Sequence, residues 1–375
     1  MNIEIAERLH PFSMQPGCEF LLPYTSLRVR AYPACVIIDD LASGLAENGI
    51  SIGWDVTGPV KDFSATQDLE RGELRVQGRY TEGYFRYVLH TRANSPDIVL
   101  RAERTPASGV FFRIENDGVQ TRNGLLQQKE EIDLPGGKMM KDRSTCAIER
   151  LSFGNHKKQD WDLIRRRGSL SEIFPLWYRL GQVIPEVPVK GITGTAALLE
   201  PCRAAIFSGA PDTIHSSFNA LFLAGFEGGL SPRLQDSDRS GIKVGGEMLH
   251  FDSHIDLSPL ILVNQGAKLI RSLFLQESDG RVKLLPSLPP ELACGRLVNA
   301  SCGVEGRINV EWTKKRLHKV VFAALSDQQV MFDFCRGEVS CRLRRSYNDR
   351  GEKYLSGEAI AVKSGEAIWL DCFKN

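Results

Sequence analysis

The densest run of groups able to bind a ligand or move a proton in this 375-residue chain is HFDSHID, which sets His250, Asp252, His254 and Asp256 at alternate positions. In an extended strand that spacing puts all four side chains on one face. A metal ion needs three or four ligands at about 2.0 to 2.2 Å, and donors strung along one strand are spread too widely for all four to share an ion. Two of them with His215, from TIHSSF, would be the least that could. No metal and no cofactor is predicted, and Asp252, His254 and His215 read instead as groups that could meet sugar hydroxyls. Glu227, in AGFEGGL, and Glu247, in GGEML, stand between glycines, which puts a carboxylate on a bend where it can face a cleft. The apolar LFLAGF before Glu227 would desolvate it, the setting a general acid needs; the competing reading is a salt-bridged loop glutamate.

The elements that must position these groups change period along the chain. From Leu27 to about Arg113, segments such as LRVRAY, ISIGWDV, ELRVQGRY, GYFRYVLHTR and SGVFFRIEND alternate apolar with polar or arginine residues, as half-buried strands do. No long helical crossover separates them, so an antiparallel sandwich fits residues 1–123 better than a parallel sheet. NGLLQQKEEIDLPGG marks a connecting excursion over 124–144. Over 145–280, Trp161 and Ile164, then Leu170, Ile173, Leu176, Trp177 and Leu180, recur at helical intervals, and GTAALLEPCRAAIF, TIHSSFNALFLAGF and LSPLILVNQGAKLIRSLFLQ read as further helices. Asp256 or Ser258 could cap the last of these ahead of Pro259. From 281 to 375, RINVEW and RLHKVVFAAL form a hairpin and later strands follow. The predicted fold class is thus multidomain α+β, with a sandwich, a helical unit and a C-terminal β-domain.

Composition narrows the function further. Hydrophobic residues make up 42% and charged residues 25% of the chain, and 47 basic against 46 acidic side chains leave a formal net charge of +1. No global field recruits nucleic acid or an anionic membrane, and the opening MNIEIAERLHPF lacks the apolar run of a leader or spanning helix. Nine cysteines in a long chain, without C-x-x-C spacing, predict reduced thiols and a cytoplasmic location. Phosphate-loop, H-E-x-x-H and G-x-S-x-G templates are absent from the sequence. Lys157, Lys158, Arg165, Arg166 and Arg167 surround Trp161; such a patch could hold a phosphate or stack a sugar, or simply face water while Trp161 packs. The LSEIFPLWYRL stripe, with Phe174, Trp177 and Tyr178, could pack internally or meet a second copy of the chain.

One long segment carries a resemblance. From Ser272 to Phe322, Leu273, Leu275, Gln276, Asp279, Gly280, Leu284, Leu285, Pro286, Leu288 and Pro289, then Gly306, Val310 and Trp312, resemble the end of the helical barrel and the start of the following β-domain in glycoside hydrolases of the α-L-fucosidase type related to family 95. That resemblance implies an N-terminal sandwich, an α/α barrel and C-terminal β-domains, and activity on a glycan through paired carboxylates. It places the water-activating aspartate at Asp256; the setting of Glu227 makes it the acid beside that aspartate, and Trp161, Trp177 and Tyr178 are candidate aromatic platforms by residue type. The family's Gly-Asn-Phe-Gly after that aspartate is missing here, and the helical stretch has room for only about five to seven helices of average length against the family's twelve. The resemblance therefore implies a partial barrel. It also leaves open a carbohydrate-binding or protein-interaction scaffold that has lost the chemistry.

Overall fold

The computed structural model describes residues 3–43, 47–92, 97–144, 148–189, 194–234, 243–244, 247–248, 257–278, 280–303, 305–346 and 348–375. Twelve strands come first: β1 (Phe12–Ser13), β2 (Cys18–Leu21), β3 (Leu27–Ala31), β4 (Cys35–Asp40), β5 (Glu47–Asp55), β6 (Lys61–Asp68), β7 (Glu73–Tyr80), β8 (Gly83–Thr91), β9 (Ile98–Arg104), β10 (Val110–Asn116), β11 (Val119–Leu126) and β12 (Glu131–Leu134). They form two antiparallel sheets, ordered β1-β6-β7-β8-β9-β12 and β11-β10-β5-β4-β3-β2. Alternation decides which face turns inward: in β7, Leu74, Val76 and Tyr80 are buried while Arg75, Gln77 and Arg79 face out, as a period of two requires. The inner faces meet through Trp54 of β5, whose ring lies 5.1 Å from both Phe85 and Tyr87 of β8. Gln67 of β6 donates across the layers to the Leu21 carbonyl at 2.6 Å. The span 124–144, expected from sequence as an excursion, contains the end of β11 and all of β12.

The strand β13 (Arg150–Ser152) precedes the helices α1 (Trp161–Arg167), α2 (Leu170–Val183), α3 (Leu199–Ser208), α4 (Pro211–Gly225) and α5 (Leu260–Ser272). Asp160 caps α1, its Oδ1 accepting from the Asp162 and Leu163 amides at 2.9 and 3.2 Å, and Gly168 ends it at φ 59°, a conformation that suits glycine. The Gly168 turn leads straight into α2. Helices α2 and α5 approach closely because glycine faces each of them: a Cβ on Gly181 would lie 2.2 Å from the Ala267 Cβ, and one on Gly266 would lie 2.3 Å from the Trp177 ring. Short strands β14 (Phe226–Glu227), β15 (Ser231–Pro232), β16 (Lys243–Val244) and β17 (Glu247–Met248) lie between α4 and α5.

The remaining strands are β18 (Leu275–Ser278), β19 (Arg281–Leu284), β20 (Gly295–Cys302), β21 (Gly306–Thr313), β22 (Arg316–Ala324), β23 (Gln328–Phe334), β24 (Ser340–Arg344), β25 (Glu352–Leu355), β26 (Ala359–Val362) and β27 (Ala367–Lys374). They build a seven-stranded sheet, β13-β20-β21-β22-β27-β24-β25, and a four-stranded sheet, β18-β19-β23-β26. Lys314 and Lys315, at φ 51° and 63°, make the two-residue turn between β21 and β22, since a tight hairpin needs positive φ at both central positions. Trp312 stacks on Phe274 at 5.2 Å and donates to the Leu292 carbonyl at 2.9 Å, fixing the junction below α5. The whole is a mixed α+β, strand-rich protein of several antiparallel sheets. Among the described residues no helix is long and apolar enough to cross a membrane.

Candidate functional site

A surface cleft of about 500 Å³ opens where α1 turns into α2 and meets α4. Arg165, Arg166 and Arg167 line it from the end of α1, Gly168, Ser169 and Leu170 from the turn, His215, Asn219 and Leu223 from α4, and Glu291 from the loop before β20. The arginines have different neighbours. Arg167 joins Lys157 on the carboxylate of Glu172, whereas Arg165 donates to the Phe226 carbonyl at 3.1 Å and lies over the Phe222 ring at 5.4 Å. Arg166 donates Nε to the Asp162 carbonyl at 3.2 Å, and its charge also acts on the Asp162 carboxylate. Burial, and then the nearby Arg233, push the Arg165 guanidinium below its ordinary value, against the opposing pull of Glu227 and Asp162. His215 Nδ1 meets Glu291 Oε1 at 2.5 Å, which orients the imidazole. The cleft thus joins an excess of cationic donors to an oriented histidine and an amide, a set suited to holding an anionic or many-hydroxylated ligand.

Of the residues singled out by sequence, His215 and the basic run Arg165, Arg166 and Arg167 line this cleft; the other candidates among the described residues do not. Glu227, on β14, is ion-paired with Arg233 through Oε1, the salt-bridged setting that competes with the general-acid reading. Trp161 and Trp177 are 1% and 0% exposed. The Trp177 ring packs edge-on against Phe226 at 4.5 Å and its Nε1 donates to the Val263 carbonyl at 3.3 Å. Both rings therefore have protein against their faces, where a sugar platform needs an open one. His250, Asp252, His254 and Asp256 lie outside the described residues, as does the side chain of Glu247. Among the described residues, no three His, Cys, Asp or Glu groups come together as a metal would require. At the start of α5, Ser258 Oγ accepts from the Leu260 amide at 3.3 Å and donates to the Leu41 carbonyl at 2.5 Å.

Sequence reading missed two features. Glu291 sits in LPPELACG, read only as junction, and its meeting with His215 comes from 76 residues away. The second is a buried network around Glu149. That carboxylate accepts from the Ser301 amide and hydroxyl at 3.0 and 2.8 Å, from Arg271 Nε at 3.2 Å and from the Tyr178 hydroxyl. Burial first, and then the charge of Glu149, push the Tyr178 hydroxyl well above its ordinary value, so it stays a donor. Arg271 also pairs with Glu277 at 3.1 Å, and the group ties α2 and α5 to β20. Compared with known proteins, the chain matches no family model and no curated protein.

Proposed function

We propose that this protein is a glycoside-hydrolase-like, carbohydrate-binding scaffold that holds an acidic glycan in the cleft of Arg165, Arg166 and His215, without using Glu227 as a proton donor. One observation carries the reading: three consecutive arginines and the His215–Glu291 pair line a single cleft. A uronate or sulfate group would meet the arginines that line the cleft, while Asn219 and His215 would take hydroxyls. Support for the architecture is the residue pattern from Ser272 to Phe322, together with strands, then helices, then strands along the chain. On this reading 145–280 is a partial α/α barrel flanked by β-domains, and the unpaired state of the eight described cysteines suits a reducing, cytoplasmic setting.

Calorimetric titration with oligogalacturonate and with a neutral oligosaccharide of equal length tests it. Saturable binding is expected for the acidic chain alone, weakened at least tenfold by Arg166→Ser and by His215→Ala and unchanged by Glu227→Gln. Absence of binding, or equal binding by Arg166→Ser, overturns the reading. A Glu227→Gln variant that abolishes release of reducing ends from a glycan would restore the hydrolase alternative.

A further inference from the structure

We propose that the outward face of the first sheet, where Arg75 of β7, Arg86 of β8 and Arg101 of β9 surround Glu103, binds a phosphorylated segment of a partner protein. The site spans three neighbouring strands of the sheet β1-β6-β7-β8-β9-β12, on the side turned away from the sandwich core. It shares no residue with the arginine cleft, and it does not depend on the function proposed above.

Register brings the three arginines together. Arg75 and Arg101 stand opposite Val88 of β8 from either side, and Arg86 stands two residues before Val88, opposite Gln77. Glu103 falls in the register shift between β8 and β9, and its carboxylate serves all three. Oε2 lies 3.3 Å from Arg75 Nε and 3.0 Å from Arg86 Nε, while Oε1 lies 3.6 Å from Arg101 Nη2. Both of those Nε atoms are buried, and the terminal nitrogens of Arg75 and Arg86 are not. The glutamate therefore occupies the inner edge of these two guanidinium groups and leaves their outer ends to solvent. The side chains of Arg75, Arg86 and Arg101 are 35, 27 and 37% exposed, so a ligand lying on the face can reach them.

Charge selects the kind of ligand. Three guanidinium groups share one carboxylate, which leaves two positive charges, and Arg104, opposite Arg86 and 5.8 Å over the Tyr84 ring, adds another. Other acids on this face are engaged to either side. Glu131, opposite Arg101, pairs with Arg92 as does Asp133, Asp62 pairs with Arg79, and Glu73 stands opposite His90. A phosphate monoester carries about −1.5 to −2 charge at pH 7 and three acceptor oxygens, which suits donors converging from three strands better than the single charge and two oxygens of a carboxylate. Because the arginines lie across an open sheet face, a free metabolite would be held from one side only. A partner's phosphorylated segment would cover the face and keep water from the contacts.

Fluorescence anisotropy of a labelled heptapeptide with one central phosphoserine, beside its unphosphorylated twin, tests the site with the wild type, Arg86→Gln, Arg101→Gln and Arg166→Ser. The two sheet substitutions lie on different strands and on the solvent side, so each guards against a folding defect in the other. Saturable binding of the phosphopeptide alone is expected, weakened about tenfold in both Arg86→Gln and Arg101→Gln, as loss of a charge-assisted hydrogen bond should do, and retained in Arg166→Ser. No binding by the wild type, equal binding of the twin, or wild-type affinity in either sheet variant overturns the proposal. Displacement of the peptide by inorganic phosphate at the peptide's own dissociation constant would assign the face to free phosphate and overturn the partner. Loss in Arg166→Ser alone would move the binding to the arginine cleft, and the proposal would fall with it.

Discussion

Single side chains here act mainly through charged groups withdrawn from water. Glu149 has three partners from three distant parts of the chain, so removing one leaves a buried carboxylate under-satisfied. Tyr178→Phe deletes the hydroxyl and nothing else; a loss of roughly 1.5 to 3 kcal/mol is expected by denaturant unfolding, with the slope of the transition unchanged. Acid should find two other carboxylates. Burial works against the charged form of Glu172, but hydrogen bonds from Arg167 and Lys157 outweigh it, and its pKa falls below the ordinary 4.5. At Asp371 burial is likewise outweighed, by Arg342 and Arg344, and its pKa falls below 3.8. A lowered folded pKa means that the unfolded chain takes up the proton first, so the stabilisation is whole above the ordinary values and drains away as pH falls through them. Melting temperatures measured from pH 6 down to pH 3 should therefore decline mostly below about pH 4.5, and Glu172→Gln should flatten the upper part of that decline. Little of this was legible in the sequence. CAIERLSF gives Glu149 no periodic setting, and its partners are placed by the fold; the Trp177 stripe, by contrast, was visible because helical spacing is local.

Elements were easier to read than sites. The alternation in ELRVQGRY and the intervals in SLSEIFPLWYRL follow directly from which face each element buries, and both segments fold accordingly as β7 and α2. What local pattern could not carry is how near two elements come. The approach of α2 to α5 rests on Gly181 and Gly266, which in sequence look like mild helix breakers. Adding a methyl at Gly266 would drive it into the Trp177 ring. Gly266→Ala should cost about 1 to 3 kcal/mol despite alanine's better helix propensity, as overpacking does, and a near-ultraviolet dichroism spectrum should show the Trp177 environment altered. A gain in stability would mean that the two helices part more readily than their packing suggests. The arginine cleft was invisible to period analysis for the same reason, since it is defined by elements that meet only after folding.

At the scale of the molecule, the layers are fastened together at several points. Arg150 of β13 donates to the Ile5 and Glu7 carbonyls at 2.9 and 2.8 Å, Phe12 bridges to Asp160 and Phe20 to Gly229, and one continuous apolar core runs from Leu9 to Leu370. The order of strands and helices could be read from composition and period, but the role of β13 could not, because three residues are too few for a pattern. That short strand pairs with β20, Arg150 opposite Val298, with every helix between them in the chain. A ribosome adding about 5 to 20 residues per second makes Arg150 roughly 7 to 30 s before its partner. During that interval the nascent chain presents an edge strand with nothing to pair, so the final assembly of the C-terminal sheet must wait for synthesis, and the cell must keep the growing polypeptide from finding a neighbour's edge first.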